Sequence, residues 1–269
     1  MSLGGLGMLV WLFKLFGLPG LLVGGAIMFF GSGLLNGGGG SSDDSRGTQS
    51  ALPAGSTAGD GSDFVGFVFD DVQKTWASTF GAQSEPYRKA SLVLFTGRTQ
   101  SGCGTGQSAM GPFYCPVDQK VYIDLSFYRE LKERFGAPGD FAQAYVIAHE
   151  MGHHVQHLLG LDDKAQRSAR GQQTGADSMS VRLELQADCL AGAWAQASAK
   201  RDLLDPGDID EALGAAQAIG DDRLQKESTG SVTPETWTHG SSAERARWFK
   251  RGYEVGTVAG CDTFGASKL

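Results

Sequence analysis

The sequence predicts an α+β fold, mostly helical with a small sheet, preceded by one N-terminal transmembrane helix. Three observations lead there. Residues 3–35 are almost entirely apolar or glycine, with Lys14 their only charge. Apolar residues then recur at helical spacing, first as Phe64, Val65, Phe67, Val68, Val72 and Trp76 and again in several later stretches. Short runs at 90–96 and 120–125 are rich in aliphatic and aromatic residues and read as strands.

The chain has 269 residues, enough for one domain of about 200 residues and an N-terminal extra. Its formal net charge is -7 with no basic cluster, which argues against nucleic acid as a partner. Four cysteines allow two disulfides if the compartment is oxidising.

The run 15–35 carries no charge and is long enough to cross a hydrocarbon core of about 30 Å. Lys14 precedes it and Asp43 and Asp44 follow it. The positive-inside rule then places the N-terminus in the cytoplasm and the rest outside, anchored to the cell membrane by a single pass. A cleaved signal peptide is the other reading, but the run exceeds an h-region and no small-x-small site follows promptly. The sequence thus divides into an anchor at 1–35, a flexible Gly/Ser-rich linker at 36–62 and a folded domain at 63–269.

The apolar residues from Phe64 to Trp76 are expected to be core. After the strand at 90–96 comes Ser101-Gly-Cys-Gly-Thr-Gly, which lacks the Lys-Ser/Thr ending of a phosphate loop. Its glycines would let Cys103 turn back toward Cys115, and a bridge there is worth about 3 kcal/mol in the chain-entropy model. Gly111-Pro-Phe-Tyr-Cys-Pro and Lys120-Val-Tyr-Ile-Asp-Leu read as two strands joined by Val117-Asp118-Gln119. Pro112 and Pro116 cannot donate to a ladder, so the first strand belongs at an edge. An extended peptide could pair with that edge, or it could be a plain hairpin. An amphipathic helix follows at 126–135.

Asp140 with Gln143 forms a capping box for the next helix, and Gly160 stands where it would stop. Phe141, Tyr145, Ile147, Ala148, Met151 and Val155 make this helix mostly buried. It contains His149-Glu150-x-x-His153. Residues four apart share a helix face, so His149 and His153 can present two imidazole nitrogens to one zinc ion. Glu150 can reach a water on the same ion, the arrangement of metal-assisted peptide hydrolysis. His154 points about a quarter turn away, and His157 lies too far along the axis to share an ion with His149.

A hydrolytic zinc site takes three protein ligands and keeps one position open. The candidates downstream are His157, Glu184, Asp188, Cys189 and His239. A second buried helix at 181–200 carries Glu184 and Asp188 on one face. Two acids in an apolar helix are costly unless coordinated or paired. Glu184 as ligand, with Asp188 accepting a hydrogen bond from a ligand histidine, satisfies both.

His149-Glu-x-x-His followed by Glu184-Leu-Gln-Ala-Asp188 resembles the gluzincin metallopeptidases. Several segments resemble, more closely, the neutral zinc metallopeptidase family of bacterial membrane-anchored proteins. They are Gly111-Pro-Phe-Tyr-Cys-Pro, Val121-Tyr-Ile-Asp, His149-Glu-Met-Gly-His-His-Val-Gln, Glu184-Leu-Gln-Ala-Asp-Cys-Leu-Ala-Gly, Ala218-Ile-Gly-Asp-Asp-Arg-Leu-Gln and Thr238-His-Gly-Ser. The resemblance implies a zincin-like metallopeptidase domain, one zinc ion and a peptide or protein substrate.

A helix is expected from Asp208 to Gly220, with Asp221 and Asp222 as loop and cap residues after it. Ser241-Ser-Ala-Glu244 is a capping box that starts the last helix. Thr238-His239-Gly240 followed by Arg245 is similar to a Thr-His-Pro … Arg segment of some membrane gluzincins. That similarity implies that His239 or Arg245 stabilises an oxyanion; an ordinary surface histidine is the other reading of His239. Cys261 is the partner left for Cys189, and a bridge would staple the C-terminal region to the ligand helix. A zinc-stabilised scaffold without turnover is the rival to an enzyme. Glu150 separates them, because a closed structural site needs no base.

Overall fold

The computed structural model describes residues 61–81, 86–168 and 173–269, all within one compact unit, Thr57–Leu269. The expected anchor at 1–35 and the linker up to residue 60 lie outside the described residues. Among the described residues no helix is long and apolar enough to cross a membrane.

The architecture is α+β, with helices dominating and two small sheets. Helix α1 (Ser62–Gly81) buries Val65, Val68, Phe69, Val72, Trp76 and Phe80. Phe67 departs from expectation and is 59% exposed. It sits two residues from Val65, about 200° around the helix, so the face that buries Val65 and Val72 turns it outward.

Strands β1 (Ser91–Phe95), β4 (Phe113–Cys115) and β5 (Lys120–Asp124) form a three-stranded sheet in the order β1-β5-β4. β5 is parallel to β1 and antiparallel to β4, so β4 takes the edge that its flanking prolines require. The Gly-rich stretch between β1 and β4 is more ordered than a loop. It forms a two-stranded antiparallel ribbon, β2 (Arg98–Ser101) with β3 (Gly104–Gln107). Cys103 at its tip is bonded to Cys115 of β4. Helix α2 (Leu125–Glu133) follows β5, capped by Asp124, whose carboxylate accepts from the Ser126 N–H.

Helix α3 (Asp140–Leu158) is the centre of the helical layer and packs against α1, α5 (Met179–Ala199) and α6 (Asp208–Ala218). The expected Asp140 capping box does not form. Gly139 occupies the N-cap, and the Phe141 N–H donates to the Glu211 carboxylate of α6 at 3.1 Å. A partner from another helix satisfies the orphan donor that a local side chain was expected to take. Gly160, at φ 65°, ends the helix as expected, and the short α4 (Leu161–Ser168) follows.

Asp221 and Asp222 are not trailing loop residues. Gly220 is an N-cap, and the two acids open a further helix, α7 (Asp221–Thr229), where carboxylates suit the N-terminal dipole. The last helix, α8 (Ser242–Val255), starts with the expected capping box of Ser241 and Glu244. It lies so close to α5 that a Cβ on Gly252 would sit 1.8 Å from the Cys189 carbonyl oxygen. The Cys189–Cys261 disulfide closes the same interface.

Candidate metal centre

The site is built where α3 crosses α5. Gly152 permits the crossing, since a Cβ there would meet the Ala187 backbone at 3.0 Å. His149 and His153 stand one turn apart on α3, with ring centroids 4.9 Å apart. Glu184 of α5 faces both, its Oε2 at 3.2 Å from His149 Nε2 and its Oε1 at 3.5 Å from His153 Nε2. One ligand atom from each of the three lies within 4.8 Å of the other two. Two imidazole nitrogens and one carboxylate oxygen are the donor set of a hydrolytic zinc site.

The opposite edges of both rings are held. His149 Nδ1–H donates to Asp188 Oδ1 at 2.8 Å, and His153 Nδ1–H donates to Gln156 Oε1 at 2.9 Å. Each histidine thereby turns its Nε2 toward the shared centre, the atom that would hold a metal once it gives up any proton. Asp188 is fully buried and accepts from three further donors. These are the Tyr145 hydroxyl at 2.5 Å, Arg245 Nε at 2.9 Å and Arg245 Nη2 at 3.0 Å.

The field of the site favours a cation. Burial works against a charge on His149, yet the Asp188 and Glu184 carboxylates outweigh it and hold the imidazole up to about 10. Burial would likewise raise Glu184, but His153, His149 and His239 hold it well below the usual carboxylate range. Asp188, raised by burial alone, is drawn down to about 2 by Arg245 and His149. Glu150 is buried beside His149 on α3.

The remaining candidates go elsewhere. His157 pairs with Asp162 at 2.8 Å. Cys189 is in its disulfide. His154 is fully buried; its Nε2–H donates to the Arg88 carbonyl at 2.7 Å and its Nδ1 accepts from the Tyr114 hydroxyl at 3.0 Å. The Tyr114 hydrogen bond ties α3 to the edge strand β4. Arg245, expected with His239 near an oxyanion, is 2% exposed and engaged by Asp188. His239 is about half exposed, and its Nδ1 donates to Asp221 Oδ1 at 3.2 Å. Burial lowers its pKa, but the Asp221 hydrogen bond and the Glu184 charge raise it above the usual value. Asp221 also accepts the backbone N–H groups of Thr238, His239 and Gly240 at 2.7, 2.7 and 3.1 Å.

Sequence reasoning missed Tyr145, Gln156 and Asp221. Tyr145 lies one turn before His149 and Gln156 three residues after His153, so continuing the helical spacing outward from the ligands would have found both. Asp221 leaves no such signal, because it reaches the turn that carries His239 from α7, outside the periodicity of either ligand helix.

Fold and site together define an α+β protein with a candidate two-histidine, one-glutamate metal centre. The chain belongs to the putative neutral zinc metallopeptidase family, whose profile matches residues 1–264. It is 52% identical over 205 residues to the uncharacterized protein YpfJ of Escherichia coli K12, covering 76% of this chain and 71% of that one. It is 46% identical over 211 residues to the uncharacterized protein Rv2575 of Mycobacterium tuberculosis, covering 74% of this chain and 69% of that one. No solved structure matches the chain significantly.

Proposed function

We propose that the chain is a zinc-dependent metalloendopeptidase with a zincin-like domain. The convergence of His149, His153 and Glu184 within 4.8 Å carries this reading, and the family agrees with it. One zinc held there would supply Lewis acidity to the attacking water and the scissile carbonyl. Glu150 takes the proton of that water and passes it to the leaving amine. His239 donates to the developing oxyanion from Nε2 as an imidazolium, which the Asp221 carboxylate 3.2 Å from its Nδ1 stabilises. Arg245 acts through Asp188, as a positioning residue for His149. The free edge of β4 receives the substrate in extended form, with Tyr114 fixing that strand to α3 through His154.

The same proposal includes the organisation of the whole chain. Residues 1–35 anchor it to the cell membrane, 36–62 tether it and 63–269 form the catalytic domain outside the cytoplasm. The two disulfides support an oxidising compartment.

The test is hydrolysis of a peptide library by the zinc-loaded full chain and by Glu150→Gln with matched zinc content. The nearly isosteric change should keep metal and fold and slow cleavage about 10²–10⁴-fold. Equal rates would remove Glu150 as the base. If the zinc-loaded wild type cleaves nothing, the scaffold reading replaces the enzyme.

A further inference from the structure

The two candidate histidine ligands are held by different chemistry. Behind His149 stands a carboxylate, Asp188, with Arg245 beneath it. Behind His153 stands a chain of neutral amides. His153 Nδ1–H donates to Gln156 Oε1 at 2.9 Å. Gln156 Nε2 donates to Gln186 Oε1 at 3.1 Å and to the Leu183 carbonyl at 2.7 Å. Gln186 Nε2 donates in turn to the Cys261 carbonyl at 3.0 Å. Both amides are buried, with 1% and 4% exposure.

Every link runs from N–H to C=O in the same direction, and the direction is set by the main-chain carbonyls of Leu183 and Cys261. The Cys261 carbonyl can only accept, so Gln186 must turn its NH₂ toward it and its oxygen toward Gln156. Gln156 must then turn its own NH₂ toward Gln186 and the Leu183 carbonyl, and its oxygen toward His153. Reversing either amide would set donor against donor and acceptor against acceptor in a buried space, at the cost of unsatisfied polar groups. The tautomer of His153 is thus set by main-chain carbonyls, that of Leu183 acting on Gln156 directly and that of Cys261 acting through Gln186. Gln156 also grips the backbone at Leu183, the residue before Glu184. Cys261 is fixed to α5 through Cys189, the neighbour of Asp188. The C-terminal segment thereby reaches both histidines, one through Asp188 and the other through the amides.

We propose that Gln156, Gln186 and the main chain at Cys261 form a hydrogen-bond relay that positions His153 as a metal ligand. Gln186, whose two hydrogen bonds go to Gln156 and Cys261, then sets metal affinity without meeting the metal. This rests on the reading of His153 as a ligand.

The experiment measures zinc affinity of the full chain by chelator competition, together with the visible spectrum of the cobalt-substituted protein. The variants are Gln156→Met, Gln186→Met, the double substitution, Gln186→Glu and His153→Ala, each checked for folding by thermal unfolding without metal. Gln156→Met should weaken zinc about 10–100-fold, the usual range for a group that orients a ligand. Gln186→Met should weaken it less and still shift the cobalt band. The double variant should be no weaker than Gln156→Met, because Gln186 then has nothing to transmit to. Gln186→Glu, kept protonated by burial, retains both the acceptor that Gln156 needs and a donor for the Cys261 carbonyl, and should bind zinc more tightly than Gln186→Met. Wild-type affinity and an unshifted cobalt band in Gln186→Met would overturn the relay, as would equal weakening in Gln186→Met and Gln186→Glu. Should Gln186→Met not fold, undiminished affinity in Gln156→Met overturns it instead. If wild type binds no zinc, or His153→Ala binds it as well as wild type, the metal-site reading fails and the relay with it. If those two controls behave as expected, a null result in the glutamine variants removes the relay alone.

Discussion

Arg245 lies beneath Asp188, its Nε 2.9 Å from Oδ2 and its Nη2 3.0 Å from Oδ1, with both side chains almost wholly buried. The pair joins α8 to α5 directly behind His149. Replacing one partner strands the other as a buried charge, a loss of typically 3–5 kcal/mol. Arg245→Leu is therefore expected to lower the unfolding free energy by about that amount in urea. An effect under about 1 kcal/mol would show that Asp188 finds another cation.

His239 should behave differently, because it is half exposed and its pairing partner Asp221 is held by backbone as well. His239→Ala is expected to lower kcat about 10²–10³-fold, the cost of one oxyanion donor, with zinc content unchanged. Asp221→Asn should reduce kcat and also stability, since the carboxylate accepts three consecutive backbone N–H groups. Unchanged kcat in His239→Ala would make it an ordinary surface histidine.

The two disulfides close loops of very different length, with sequence separations of 12 and 72. Loop-closure entropy then predicts about 3 kcal/mol for Cys103–Cys115 and about 4 kcal/mol for Cys189–Cys261. Non-reducing peptide mapping of protein from its native cell should recover both linked pairs. Four free thiols there would contradict an extracytoplasmic domain.

Asp71 of α1 supplies a pH dependence remote from the metal centre. Burial raises its pKa, but Arg201, Trp194 and Ser198 hydrogen-bond the carboxylate and bring it below the ordinary 3.8. A depressed acid stabilises the fold above its unfolded pKa and loses that contribution as pH falls through the folded value. Stability should therefore fall below about pH 4 more steeply in wild type than in Asp71→Asn, by thermal unfolding across pH 2–6. Parallel curves would remove Asp71 from acid unfolding.

By itself the sequence determined whatever follows from spacing along one element. Four-residue steps placed His149 beside His153 and Glu184 beside Asp188, and the prolines around β4 put it at a sheet edge. The glycines around Cys103 pointed it back to Cys115, leaving Cys189 for Cys261. Local chemistry also defined the capping box of α8. Tertiary structure alone decided what depends on partners far along the chain. It gave the capping of α3 to Glu211 rather than to the Asp140 side chain, and put Arg245 under Asp188 rather than at an oxyanion. It seated His239 on Asp221 and ran the amides from His153 to Cys261. The physical reason is that a helix advertises its own faces through its period, whereas a buried donor needs only some acceptor within about 3 Å and is indifferent to where in the chain that acceptor comes from.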